Sequence, residues 1–170
     1  MPVNLELKIK LKSHRKSLKI LNNIGAENKG FLNQKDIYYS IPEGLLKLRI
    51  ENGNESLIFY NRNELRKNRW SEFDYIKFSE YGSEKLFNKI FETEIIVQKK
   101  RQLFLYNNTR IHLDTVKMLG TFLELETLVI KGKSDAQKRF KHILNLLEIQ
   151  DLPEIRKSYR DLMIEKKSDK

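Results

Sequence analysis

The sequence predicts an α+β fold in which a closed or nearly closed antiparallel β-barrel carries flanking and C-terminal helices. Three observations predict it. Apolar and polar residues alternate with period 2 in most of the segments between residues 4 and 130, the pattern of strands with one buried face. Short turn signals join several of these segments, which favours antiparallel neighbours. Helical spacing takes over after residue 130, and a sheet with so many strands tends to curl or close.

Taken in order, Asn4 to Leu11 is apolar at odd positions and polar at even ones. Ser13 reads as a helix N-cap, Leu18, Leu21 and Ile24 follow at helical spacing, and Gly25 reads as a stop. Strands are expected at Asp36–Ile41, Leu45–Glu51 and Ser56–Arg62, with Asn52-Gly53 as a strong hairpin signal between the latter two. A polar stretch from Asn63 to Asn68 precedes a strand Arg69–Phe78, and Ser83 opens a short helix ending near Phe91. Alternation resumes in Glu94–Lys99, Gln102–Tyr106, Arg110–Asp114 and Phe122–Ile130, with a second turn signal at Asn107-Asn108. Two helices are expected to follow, Ser134–Glu148 with Phe140, Ile143, Leu144 and Leu147 on one face, and Pro153–Glu165, where Pro suits a first turn. No linker splits the chain, so residues 1–165 read as one domain and 166–170 as a flexible tail.

Composition narrows the chemistry. The 170 residues include 33 Lys plus Arg against 23 Asp plus Glu, a formal net charge of +10 that favours an anionic partner. The absence of Cys excludes disulfides, thiolate zinc sites and thiol nucleophiles, so a metal would need oxygen or imidazole ligands. The N-terminal residues alternate from the start and no later segment is a continuous apolar span, so neither a signal peptide nor a membrane partner is expected and the address reads as cytoplasmic. His14, His112 and His142 have no metal-ligand spacing, and no P-loop, dinucleotide or nucleophile-elbow motif occurs. Trp70 and Tyr75 beside Lys67 and Arg69, and Lys138, Arg139 and Lys141 on the helix after Ser134, read as surface clusters, so nucleic acid is not expected as a partner.

The polar faces of the strands collect Glu6, Lys8 and Lys10; Lys47, Arg49 and Glu51; Tyr60 and Arg62; Arg69 and Ser71; Lys99 and Arg101; Arg110, His112 and Asp114; and Glu124 with Glu126. Any one such face is ordinary as the solvated side of an antiparallel sheet. If helices cover the apolar side of a curled sheet, however, these faces converge on one cavity. Converging ions are costly when dry and unpaired, so the cavity would be wet and suited to a ligand. Arg forks grip phosphate in pairs, Lys adds point charge, and a few carboxylates can hold Mg²⁺ or Mn²⁺ against phosphate oxygens. A polyphosphate with a divalent ion is the simplest occupant.

These residues resemble a known family. Asn4-Leu5-Glu6-Leu7-Lys8 looks like the opening E-x-E-x-K strand of the CYTH superfamily, the triphosphate tunnel metalloenzymes. Gln34 to Tyr39, Leu46-Lys47-Leu48-Arg49, Lys99-Lys100-Arg101, Arg110 to Asp114, Leu119-Gly120 with Phe122 to Glu126, and Ser158 to Leu162 follow in that family's order, nearest to a class IV adenylyl cyclase-like bacterial branch. The resemblance implies a barrel that forms a triphosphate tunnel. It implies Glu6, Glu124 and Glu126 as metal ligands, with Asp114 as a further ligand or an arginine orienter, and Lys8, Lys47, Arg49, Lys99 and Arg101 as catalytic phosphate grips. Arg62, Arg69, Arg110, Tyr60 and His112 are expected to contact the substrate.

The activity implied is metal-dependent processing of a nucleoside triphosphate or another polyphosphate, with Mg²⁺ or Mn²⁺ as cofactor. Two reactions fit: cyclisation of ATP to cyclic AMP with release of pyrophosphate, and hydrolysis at the γ-phosphate. The alternative is a catalytically weak binding module, because Asn4 stands where the family pattern has its first Glu and Leu57 to Arg62 departs from it at Tyr60. Oligomeric state is left open, a homodimer included.

Overall fold

The computed structural model describes residues 4–60, 70–71, 73–79 and 82–168. The strands are β1 Asn4–Leu11, β2 Glu27–Tyr39, β3 Leu45–Glu51, β4 Asn54–Tyr60, β5 Trp70–Ser71, β6 Phe73–Lys77, β7 Thr93–Tyr106, β8 Thr109–Val116 and β9 Gly120–Leu128. The helices are α1 Arg15–Asn23, α2 Ser83–Ile90, α3 Lys133–Leu146 and α4 Tyr159–Ser168.

The nine strands of the described residues form one antiparallel sheet in the order β5-β1-β9-β8-β7-β2-β3-β4-β6. The two outermost members, β5 and β6, are separated in the chain by a single residue. β5 lies on the edge of β1 and β6 on the edge of β4, so the two ends of the sheet are neighbours in the chain and the sheet curls round towards a barrel. The two turn signals hold: Asn52-Gly53 and Asn107-Asn108 all take positive φ, as a two-residue hairpin whose twist matches its strands requires.

Alternation sorts the side chains onto two faces. The outer face is apolar and covered by helices: Ile9, Phe104, Ile111, Leu113, Leu123 and Leu125 pack with Leu21 of α1 and Ile143 and Leu147 at α3. A second outer cluster places Ile37, Tyr39 and Leu48 against Phe87 and Phe91 at α2. The inner face is charged, except at one end, where Tyr38, Ile95, Val97, Val116 and Phe122 meet Tyr159 and Met163 of α4. At roughly 25 cal/mol per Å² of buried apolar surface, covering the outer face is what lets the inner one remain polar.

Several boundaries differ from those read in the sequence. The helix after Ser13 starts at Arg15 with His14 as N-cap, and Ser13 Oγ instead accepts the Arg15 N–H at 3.2 Å. β2 begins at Glu27, nine residues ahead of the expected start at Asp36, and β7 is one continuous strand where two were expected. Within the expected strand Arg69–Phe78 the described residues form β5 and β6, and α4 starts at Tyr159, well after Pro153. Ser158 caps α4: its Oγ accepts the Asp161 N–H at 3.1 Å while the Asp161 carboxylate accepts the Ser158 N–H at 3.0 Å, a reciprocal capping box. Arg139 is not a solvated helix residue, since it pairs with Asp135 and donates to the carbonyl oxygens of Asn107 and Leu128. No helix among the described residues is long and apolar enough to cross a membrane.

Candidate functional site: a charged cavity inside the barrel

The inner faces enclose a cavity of about 120 Å³. Among the described residues, six basic and four acidic side chains line it, including Glu6 and Lys8 of β1, Lys47 and Arg49 of β3, Lys99 and Arg101 of β7, and Glu124 and Glu126 of β9. Tyr60 also lines it, as do Asp36, Arg156 and Tyr159. Register explains the convergence, because Lys8 lies opposite Glu124 and Glu6 opposite Glu126 across β1 and β9, while His112 and Arg110 lie opposite the same two glutamates across β8 and β9.

On the side built by β2, β3 and β7, one carboxylate organises three cations. Asp36 is 0% exposed and accepts from Arg49 Nε at 2.7 Å, Arg49 Nη2 at 2.8 Å, Lys99 Nζ at 2.9 Å and Lys47 Nζ at 3.2 Å. Burial pushes the Asp36 carboxyl up, but Arg49, Lys47 and Lys99 together outweigh it and hold the group well below the usual carboxylate range. Burial also lowers the two lysines, Lys47 to about 8 and Lys99 to about 7, against the opposite pull of Asp36. Arg and Lys carry more donors than Asp36 occupies, so each keeps N–H groups for a ligand.

On the side built by β8, β9 and β1, carboxylates predominate. Asp114 is 0% exposed and accepts a bidentate pair from Arg101, at 2.7 Å from Nε and 2.6 Å from Nη2, and the Tyr159 hydroxyl at 2.9 Å. Both of its oxygens therefore orient neighbours. Arg101 also reaches Glu124, whose other oxygen lies 3.2 Å from Lys8 Nζ. Burial raises the Glu124 carboxyl, and Lys8 and Arg101 reverse this and keep it well below the usual range. Lys8 in turn donates to the Lys157 carbonyl at 3.0 Å and sits 4.3 Å from the Tyr159 ring centroid.

Among the described residues, one group has the donor set of a metal site: His112, Glu124 and Glu126 offer ligand atoms within 4.8 Å of one another. His112 is 3% exposed and its Nδ1 has no hydrogen-bond partner. Such a buried, unpaired nitrogen beside two carboxylates fits a bound divalent cation. Glu6 lines the same cavity opposite Glu126.

The expected lining residues Lys8, Lys47, Arg49, Lys99, Arg101, Tyr60, Glu6, Glu124 and Glu126 thus meet in one place. Arg110 stands at the margin, 47% exposed and 3.6 Å from Glu126. Arg62 and Arg69 lie outside the described residues. Asp36 and Tyr159 were not singled out from sequence, although Asp36 shares its strand face with Tyr38 and alternates inward. Asn4 is buried with an unpartnered Oδ1, on the same strand face as Glu6.

A family model for the CYTH domain matches residues 3–159. The chain belongs to the CYTH family. No curated protein matches its sequence well enough to count as a relative. Among solved structures, the PH1012 protein of Pyrococcus horikoshii OT3 superposes with a TM-score of 0.81 at 21% identity, covering 94% of this chain and 98% of that one. A candidate adenylate cyclase of Vibrio parahaemolyticus gives 0.74 at 19% identity over 95% and 97% of the two chains. A candidate adenylyl cyclase of Hippeastrum, with a dominant triphosphatase activity, gives 0.68 at 13% identity over 98% and 96%. These likenesses establish that the curled sheet has the CYTH tunnel fold.

Proposed function

We propose that this CYTH protein is a metal-dependent enzyme that processes a triphosphate inside the barrel. The observation that carries this reading is the division of one cavity into a cation-rich side on Asp36 and a carboxylate-rich side backed by the buried, unpaired imidazole nitrogen of His112. A triphosphate is polyanionic and travels with a divalent ion, so both sides are needed for one ligand.

The chain's own residues would act by binding and orientation. Lys47, Arg49 and Lys99, held by Asp36, present donors to terminal phosphate oxygens; Arg101, held by Asp114, and Lys8 present theirs nearer the glutamates. Glu124 and Glu126, with Glu6 across the strand pair, would hold Mg²⁺ or Mn²⁺, which when bound withdraws charge from phosphate oxygens. Asp114, with both oxygens engaged, serves as the arginine orienter. Two reactions fit this arrangement. In hydrolysis, water oxygen attacks the γ-phosphorus and the β–γ bridging bond breaks; in cyclisation, the ribose 3′-hydroxyl attacks the α-phosphorus and pyrophosphate leaves. In either, charge builds on oxygens already facing fixed cations, which is where preorganised electrostatics contributes most. The Hippeastrum neighbour has a dominant triphosphatase activity.

Incubation with ATP, tripolyphosphate and thiamine triphosphate, with Mg²⁺ or Mn²⁺, and separate measurement of phosphate, pyrophosphate and cyclic AMP tests the proposal. Release of phosphate or of pyrophosphate with cyclic AMP supports it and names the reaction. Binding without any product would instead support a binding module, consistent with Asn4 in place of the family's first Glu.

A further inference from the structure

His112 was expected to touch substrate, but its position points elsewhere. It lies opposite Glu124 in the β8–β9 register, is 3% exposed, and directs Nδ1 to 3.7 Å from Glu126 Oε1 and 3.9 Å from Glu124 Oε2. Neither separation is a hydrogen bond, since N–H···O contacts lie at about 2.7–3.2 Å. Both are also short for a bridging water, whose two partners, each at about 2.8 Å, stand roughly 4.5 Å apart. They do match donors on a single ion: with bonds of about 2.1 Å, ligand atoms lie roughly 3 to 4.2 Å from one another.

We infer that His112 Nδ1 is a protein ligand of the metal, beside Glu124 and Glu126, and that it makes the site prefer Mn²⁺ over Mg²⁺. The inference rests on the metal-dependent reading of the cavity and deepens it. Mg²⁺ favours all-oxygen coordination and keeps its waters, whereas Mn²⁺, although it too binds carboxylates well, stands at the low end of the first-row order and gains more than Mg²⁺ from a nitrogen donor. Position supports the choice of residue over its neighbours, because Asp114, two residues along the same strand face, has both oxygens taken by Arg101 and Tyr159. The other two histidines are committed elsewhere, His14 Nε2 against the Phe122 carbonyl at 3.0 Å and His142 stacked on Tyr106.

The test is pulsed electron paramagnetic resonance of Mn²⁺ bound to the intact protein without substrate, together with calorimetric titration of Mn²⁺ and Mg²⁺. A ¹⁴N coupling that shifts to ¹⁵N on labelling histidine, and vanishes in His112→Phe, is expected. His112→Phe should weaken Mn²⁺ roughly tenfold or more while changing Mg²⁺ little. His112→Asn, which can place an oxygen near the Nδ1 position, should restore binding but not the preference for Mn²⁺. Mn²⁺ bound to the wild-type protein without nitrogen coupling would overturn the inference and leave the carboxylate site standing, and this outcome needs no variant to fold. Equal losses for both ions in His112→Phe would overturn it too. No Mn²⁺ binding at all would overturn it together with the metal-dependent function.

Discussion

The two sides of the cavity solve opposite problems with similar means. Around Asp36, three cations share one carboxylate; around Arg101, one guanidinium serves Asp114 and Glu124 while Lys8 takes the other Glu124 oxygen. The first side has surplus positive charge and the second surplus negative charge. Each is tolerable when buried because every cation has at least one carboxylate, and each remains under-neutralised towards the space between them. On the proposed reading, the contrast means that the ligand brings both signs, phosphate towards β2, β3 and β7 and a cation towards β8 and β9.

The largest effect is expected where one residue holds three. Asp36→Asn should destabilise the fold by about 3–5 kcal/mol, because it leaves Lys47, Arg49 and Lys99 buried without their shared anion. Tripolyphosphate should then raise the melting temperature more in the variant than in the wild type, since it supplies the missing charge. Equal shifts in calorimetric melts would break the assignment of this side to phosphate.

On the other side, Glu126→Gln and Glu124→Gln should abolish most metal-dependent turnover, on the order of 10²–10³ in rate, with the fold intact. Neutralising a carboxylate removes charge without removing volume. Wild-type rates at saturating Mn²⁺ in both variants, with unchanged circular dichroism, would remove the metal from this side.

A smaller effect separates interior from exterior cations. Arg49→Ala should weaken tripolyphosphate binding by about 1.5–3 kcal/mol, against at most about 1 for the exposed Lys138→Ala on α3. Similar losses in titration calorimetry would put the ligand on the outside of the barrel.

The smallest effect is a proton. Lys99 is lowered to about 7 and Lys47 to about 8, whereas an unfolded lysine titrates near 10.4. Between pH 7 and 10 the unfolded chain thus binds more protons at these positions, so these groups make stability rise with pH in that window and cost most below pH 7. A bound polyanion raises both groups, so binding should take up protons near pH 8 and weaken towards pH 9, as titrations in buffers of different ionisation enthalpy would measure. Proton release on binding would contradict the sign.

Legibility from sequence followed the alternation. β1, β3, β8 and β9 were readable because their apolar residues face one covered side. The first half of β2 was not, since Glu27 to Asn33 is largely exposed or half-exposed and carries no clean period. β7 was divided because Lys99-Lys100-Arg101 interrupts the apolar residues, although burial still alternates there, with Lys99 and Arg101 inside and Lys100 outside. Pro153 drew the α4 boundary too early, while the effective signal was Ser158 three residues before Asp161. Most of the site was legible as a set of charged strand faces. Asp36 was not, because its importance comes from Arg49 opposite it and Lys99 across β7, and register between strands is not written in either one.

The order of strands in the curled sheet also has a consequence for how the molecule assembles. β1 lies between β9 and β5, and its outer edge is shared by β5 near Asn4 and Leu5 and by Glu154 and Ile155 near Lys8 and Ile9. The strand that carries Glu6 and Lys8 therefore finds β9, the partner along its whole length, more than a hundred residues later in the chain. Closing so long a loop is entropically costly and slows folding relative to local hairpins such as β3–β4. The Asp36 side, built from β2, β3 and β7, can form from a contiguous stretch, but the glutamate side is complete only once β1 docks on β9. On the proposed reading, an incompletely closed barrel would hold the cations of the Asp36 side without the full set of glutamates, so barrel closure itself would complete the site.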